Sequence, residues 1–282
     1  GICVGALYDG DPWDFYSYKV QPKNALPLGT VLTLSATGSE MNKGSVITNE
    51  ATKQKHGWGS IYSFPKFSIL DPTLTYTVSP HQTACGVVDA LTHIYEYYFN
   101  KGNKAYLNDR ISEAIMKTIV KYGPIAYNDP TNYEARAALM WSSSLALNGI
   151  TKFAKAFEGF NHITEHAISA IYDITHADGL SILGPIWMEY VLNEENVNKF
   201  YEFAVNVWDI KEDPDKMKVA KLGIARVFEY YKELNMPLTF NEVGITNPDL
   251  ELIADKSLTK DTLGQLVPLN KEDIINILKK AI

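Results

Sequence analysis

From Pro80 to the C-terminus apolar residues recur at helical spacing with few breaks, a pattern that commits most of the chain to packed helices. Val88, Leu91, Ile94 and Tyr95 form one such stripe, and Leu107, Ile111, Ile115 and Ile119 form another. The same periodicity predicts helices over about 133–147, 162–172, 180–192, 196–207, 215–234 and 271–281. Pro124, Pro130, Pro185 and Pro237 mark bends or boundaries, with Pro185 read as a kink inside a helix. Residues 26–70 have a different texture. Thr30-Val-Leu-Thr-Leu, Ser45-Val-Ile-Thr and Phe67-Ser-Ile-Leu are short β-type runs, punctuated by Gly29, Gly38 and Gly44. The fold class expected is therefore mainly α with an α/β N-terminal remnant. The boundary is expected near residue 77, with residues 1–77 as the remnant and 78–282 as an all-helical domain.

Composition narrows the functional classes. At 282 residues the chain can bury one large core or two smaller ones. A net charge of −7 and a pI near 5.4 leave no basic face for phosphate backbones, so no nucleic-acid partner is expected. No apolar run reaches the roughly 18–20 residues of a membrane span. Cys3 and Cys85 are too few for a disulfide framework and show no C-x-x-C spacing, which fits a reducing, cytoplasmic setting. The opening Gly1-Ile-Cys-Val-Gly-Ala-Leu-Tyr has no basic segment of the signal-peptide kind and reads as helix interior, so the chain is expected to begin inside a domain.

Two segments carry the chemistry. Asp89-Ala-Leu-Thr-His93 places a carboxylate and an imidazole one helical turn apart, able to grip one ion. His162-Ile-Thr-Glu-His166 and Tyr172-Asp-Ile-Thr-His176 put three of the six histidines within fifteen residues. In one straight helix His162 and His176 would stand about 21 Å apart, so the helix must stop, with 173–175 the expected reversal and His176 at the entrance to the next helix. One Asp and three His make a four-ligand set of borderline hardness, suited to Fe(II) or Zn(II) and to polarising a carbonyl oxygen. The plain alternatives are a capping contact for Asp89 and His93 and satisfied core histidines for the rest. A rival from another enzyme class is the string His162-Ile-Thr-Glu165-His166, the H-x-x-E-H pattern of inverted zinc peptidases, with Glu242 as a third ligand.

In these residues the chain resembles the iron-containing (group III) alcohol dehydrogenase family, in its butanol dehydrogenase and broad-range aldehyde reductase branch. The resemblance rests on Thr33-Leu-Ser-Ala-Thr37-Gly38-Ser39-Glu40, Asp71-Pro72-Thr-Leu74, Asp89-Ala-Leu-Thr-His93, and His162 with His176. Asn148-Gly149 and Met236-Pro237-Leu238 extend it along nearly the whole chain. It implies a truncated dehydroquinate-synthase-like fold and Asp89, His93, His162 and His176 as metal ligands. It also implies NADPH or NADH as cofactor, a small aldehyde or primary alcohol such as butanal or butanol as substrate, and a homodimer. By the same resemblance Thr33, Leu34, Thr37 and Ser39 line the cofactor, Asn42 joins them, Lys55 reaches a phosphate or ribose, and His166 relays a proton beside the nicotinamide or orients its neighbours.

Two departures accompany it. The family's glycine-rich G-G-G-S loop is expected upstream of residue 1, so a catalytically incomplete copy is an alternative reading that an aldehyde-reduction assay separates. The acidic-Trp segment ahead of the first of the paired histidines is replaced by Phe157-Glu158-Gly159-Phe160-Asn161.

Overall fold

The computed structural model describes residues 1–101, 105–258 and 260–282. Two short helices, α1 (Ile2–Gly5) and α2 (Trp13–Tyr16), precede four strands: β1 (Gly29–Val31), β2 (Gly44–Asn49), β3 (Gln54–Gly59) and β4 (Phe67–Ile69). β1 and β4 pair in parallel with Thr30 opposite Ser68, while β2 and β3 form an antiparallel hairpin with Ser45 opposite Trp58. β3 escapes a reading by pattern. Its sequence, Gln54-Lys-His-Gly-Trp-Gly, carries two glycines and lacks alternation, and pairing with β2 is what extends it.

The remainder is helical: α3 (Pro80–Tyr98), α4 (Tyr106–Asn128), α5 (Tyr133–Leu147), α6 (Phe160–Tyr172), α7 (His176–Val191), α8 (Val197–Trp208), α9 (Lys216–Glu233), α10 (Leu250–Ser257) and α11 (Lys271–Lys279). α3 starts where Pro80 pre-sets φ at the first position and the Ser79 hydroxyl accepts from the Gln82 amide at 3.2 Å. Pro185 lies within α7 and Pro124 within α4, neither ending its helix. α6 ends on Asp173 at φ 56°, and α7 begins three residues later at His176, the reversal that the histidine spacing required.

Two hydrophobic cores result. The larger joins all the long helices, with Phe99 central to it: its ring stacks on Phe200 at 4.6 Å and meets Trp187 edge-on at 5.9 Å. Tyr95, Tyr98 and Trp187 are buried there, and core packing accounts for all three. The smaller core, Val4, Phe15, Tyr16 and Trp58, ties the first two helices to the β2–β3 hairpin. Charges are buried as well. Asp109 receives Lys199 Nζ at 2.7 Å and pairs with Lys155, and all three side chains are nearly inaccessible.

Candidate metal centre

α3 is buried along most of its length, so Asp89, His93 and Glu96 enter the interior from one helix. α6 brings His162, and the first residue of α7 brings His176. The three imidazoles converge on a single carboxylate oxygen. Asp89 Oδ1 lies 3.6 Å from His93 Nε2, 3.7 Å from His162 Nε2 and 3.7 Å from His176 Nε2. These separations match the ligand–ligand edges of a cation with bonds of about 2.0–2.2 Å. Asp89, His162 and His176 each bring a donor atom within 4.8 Å of the other two. The His93 ring stacks on His162 with centroids 4.7 Å apart.

Whether these side chains fit a cation can be tested on their unmet bonds. Asp89 Oδ1 and His162 Nε2 are buried without a hydrogen-bond partner, which is costly unless a cation fills the gap between them. The outer nitrogens of two of the rings are held, while that of His93 is buried without a partner. His162 Nδ1 lies 3.1 Å from Glu96 Oε1, and His176 Nδ1 hydrogen-bonds Glu165 Oε2. With those protons placed outward, both Nε2 lone pairs face inward, as metal-ligating histidines require. Asp89, His162 and His176 therefore fit a divalent metal, and His93 adjoins them through Asp89 while lying outside their mutual donor group.

Electrostatics agree. Burial alone would push the Asp89 carboxyl up, but the imidazoles around it, His93 first, outweigh burial and keep it ionised. Burial brings His93 down to about 3, leaving it neutral. Burial also opposes a charge on His162, yet the Asp89 and Glu96 carboxylates raise it to about 9, so a cation entering the site displaces a proton there. His166 is held well below the usual histidine value, by burial and then by the charges of His176 and His162.

Glu96 and Glu165 do more than orient imidazoles. Glu96 Oε2 accepts the Gly159 amide at 2.6 Å and Oε1 the His162 amide at 3.0 Å, capping the start of α6 as it holds the His162 ring. Gly159 takes φ 85° at this entry, a conformation glycine adopts without steric cost. Glu165 is completely buried, accepts from Ser169, and lies 3.6 Å from Lys55 Nζ. Lys55 is thus paired with the carboxylate that orients His176, and it lines a cleft shared with His166. Reading the sequence missed Glu96 as a site residue and singled out Glu165 only in the inverted-peptidase rival. The available signal was a glutamate inside a run of buried aromatics, Tyr95-Glu96-Tyr97-Tyr98.

A cleft of about 680 Å³ opens onto the centre, lined by His93, His162 and His166 on one side and by Asn42, Trp58, Phe64, Tyr97 and Phe157 elsewhere. His166 lies beside the metal-centre histidines, its ring 5.4 Å from that of His176 and 6.4 Å from that of His162. Asn42 reaches this cleft, but its amide is engaged with the Thr37 and Gly38 carbonyls at 2.9 and 2.7 Å. Thr33, Thr37 and Ser39 are exposed and Leu34 half-buried on the preceding loop, which adjoins the cleft through Asn42. That loop presses on the helices: a Cβ at Gly86 would come within 2.1 Å of the Ser35 carbonyl.

The H-x-x-E-H arrangement is not assembled. His162 and His166 do not share a donor cluster, Glu165 is committed to His176, Ser169 and Lys55, and Glu242 accepts the Leu238 and Thr239 amides.

Comparison with known proteins agrees with this geometry. Residues 83–282 match the C-terminal region of the Fe-containing alcohol dehydrogenase family, and residues 1–72 match iron-containing alcohol dehydrogenase. The chain belongs to the iron-containing alcohol dehydrogenase family. It is accordingly an oxidoreductase of the alcohol dehydrogenase class. The NADH-dependent butanol dehydrogenase A of Clostridium acetobutylicum is 45% identical over 282 residues, 99% of this chain and 72% of that protein. The NADPH-dependent aldehyde reductase YqhD of Escherichia coli is 35% identical over 87% of this chain and 63% of its own length. The crystal structure of the NADH-dependent butanol dehydrogenase A of Thermotoga maritima superposes with a TM-score of 0.93 at 38% identity, covering 99% of this chain and 72% of that one. This alcohol dehydrogenase thus spans about three quarters of the length of those butanol dehydrogenases. Among its described residues no helix is long and apolar enough to cross a membrane.

Proposed function

We propose that Asp89, His93, His162 and His176 hold one divalent cation, Fe(II) or Zn(II), in an enzyme that moves hydride between NADH or NADPH and a small aldehyde or primary alcohol such as butanal or butanol. The observation that carries this reading is the convergence of three imidazole nitrogens on one orphaned carboxylate oxygen at 3.6–3.7 Å. The names of the butanol dehydrogenase and aldehyde reductase relatives support the substrate class and the nicotinamide cofactor.

When bound, the cation would supply Lewis acidity toward the substrate oxygen and the nicotinamide the hydride. The chain's own groups do the rest. Glu96 and Glu165 fix the His162 and His176 rings before any ligand arrives, and Lys55 balances the Glu165 charge. Trp58, Phe64, Tyr97 and Phe157 give the cleft an apolar wall that excludes water from the reacting carbon. His166, kept neutral by burial at the cleft wall, has a ring nitrogen free to take or return the alcohol proton. Thr33, Leu34, Thr37, Ser39 and Asn42 form the nucleotide-facing loop in this reading, with residues 1–77 as the cofactor side and 78–282 as the metal side.

Asp89→Ala and His176→Ala should each lose bound metal and NAD(P)H-dependent aldehyde reduction, while circular dichroism shows an intact helical fold. Retained activity in either variant, in the presence of added Fe(II) or Zn(II), would overturn the proposal.

A further inference from the structure

One turn before Asp89, a second set of mixed donors meets between the same two helices. His81 and Cys85 stand at i and i+4 on the first turns of α3, and Asp178 lies in the first turn of α7. His81 Nε2 is 3.5 Å from Cys85 Sγ and 3.5 Å from Asp178 Oδ1, and all three donors fall within 4.8 Å of one another. We infer that His81, Cys85 and Asp178 form a second, separate divalent-cation site of the zinc class, clamping the N-terminus of α3 to the start of α7.

Three observations carry the inference. The first is spacing. Around a tetrahedral zinc with Zn–S of about 2.3 Å and Zn–N or Zn–O of about 2.0–2.2 Å, neighbouring donors are about 3.4–3.6 Å apart. A direct imidazole–carboxylate hydrogen bond would close to about 2.7–2.9 Å instead. The second is an unmet bond: Asp178 Oδ1 is buried with no hydrogen-bond partner, while its side chain is only 13% exposed. The third is access. A cleft of about 690 Å³, lined by His81, Asp178, Tyr172, Asp173, Lys232 and Glu242 among others, reaches two of the donors, His81 and Asp178, with the buried Cys85 behind them, and includes none of the four catalytic-site ligands. A cation can arrive there from solvent, and a water can complete its fourth position.

The charge balance is sound. A thiolate and a carboxylate neutralise the dication, and the neutral imidazole completes the protein's share. Burial pushes the free Cys85 thiol up to about 12, so without a cation it is a protonated, unreactive sulfur. Binding forms the metal–sulfur bond and releases that one proton to solvent, with no change of oxidation state. Because α3 also carries Asp89 and His93 and α7 carries His176, such a clamp would hold the two catalytic helices about 6 Å, one turn, from the catalytic carboxylate.

Sulfur makes the test selective, since the catalytic set of one Asp and three His contains none. Purified enzyme with its catalytic cation in place would be titrated with Co(II), following near-ultraviolet absorption and metal content. The expected result is one further equivalent per chain, bound with a thiolate-to-cobalt charge-transfer band. Cys85→Ser and His81→Gln should each lose the band and that equivalent while keeping the catalytic cation, and Cys3→Ser should keep both. His81 is exposed at the surface, so its variant tests the site without disturbing the core. Saturation without the band, or a band that survives Cys85→Ser, overturns the proposal. It stands or falls independently of the dehydrogenase reading, which predicts only the sulfur-free site.

Discussion

Asp109 and Thr37 represent two regions that handle polar groups in opposite ways. Asp109 is sealed in the helical core between Lys155 and Lys199, whereas Thr37 is exposed on a loop whose order comes from its backbone, held by the Asn42 amide. The metal centre follows the first pattern in its outer layer: Glu96 and Glu165 are buried beside the His162 and His176 rings they orient before a ligand binds. The loop follows the second, with polar groups turned to solvent and positioned by contacts such as Ser35 against Gly86. A cation site needs donors set to within a fraction of an ångström, which buried helices provide. A nucleotide-facing surface has to stay open, and exposed threonines keep it so.

The largest effect that would sharpen this contrast is on stability. Asp109→Asn leaves two ammonium groups buried without their carboxylate and should cost about 3–5 kcal/mol in urea unfolding. A cost near zero would mean that the helical core does not depend on its buried charges. Glu165→Gln comes next. It loosens His176 and unbalances Lys55, and should lower metal affinity and kcat/KM by about 10- to 100-fold with the fold retained.

A third effect depends on pH. Burial raises the Glu158 carboxyl from the usual 4.5 to about 7, despite its bonds from the Gln265 and Leu266 amides. Because the folded state holds this proton more tightly than the unfolded one, the stabilisation is complete below about pH 4.5. It is lost as pH rises through about 7, a decline on the order of 1–3 kcal/mol. Denaturation at pH 5 and at pH 7.5 should show it, and Glu158→Gln, which can still accept both amides, should flatten it. Smallest of all is Thr37→Ala. Stability should stay within about 0.5 kcal/mol, while KM for the nicotinamide nucleotide rises roughly 2- to 10-fold, the worth of one hydrogen bond. A marked loss of stability here would show that the loop side chains bear structure after all.

The same contrast explains what could be read from the residues. Helical periodicity placed α5 at its observed limits, and the fourteen-residue gap between His162 and His176 required the reversal that Asp173 makes in the left-handed region. Strands β1, β2 and β4 were legible from short β-branched runs. β3 and α10 were not: one owes its form to a partner strand, and the other has only eight residues in which to display a period. At the site, ligand types and spacing pointed to a metal, because chemistry limits which side chains bind one. Glu96, Glu165 and the pairing of Lys55 with Glu165 were hidden, since a residue's role behind a ligand depends on which helices meet, and no local pattern records that.

Glu96 serves two masters with one carboxylate: it closes the first turn of α6 and steadies the ring of His162. Altering it would register in a mutational scan as misfolding and as lost turnover together, and neither reading alone would identify its job. Attempts to retune this enzyme for another metal should therefore leave Glu96 alone and work through Glu165. Its partner Lys55 keeps 17% of its side chain exposed and is the more accessible end of that pair.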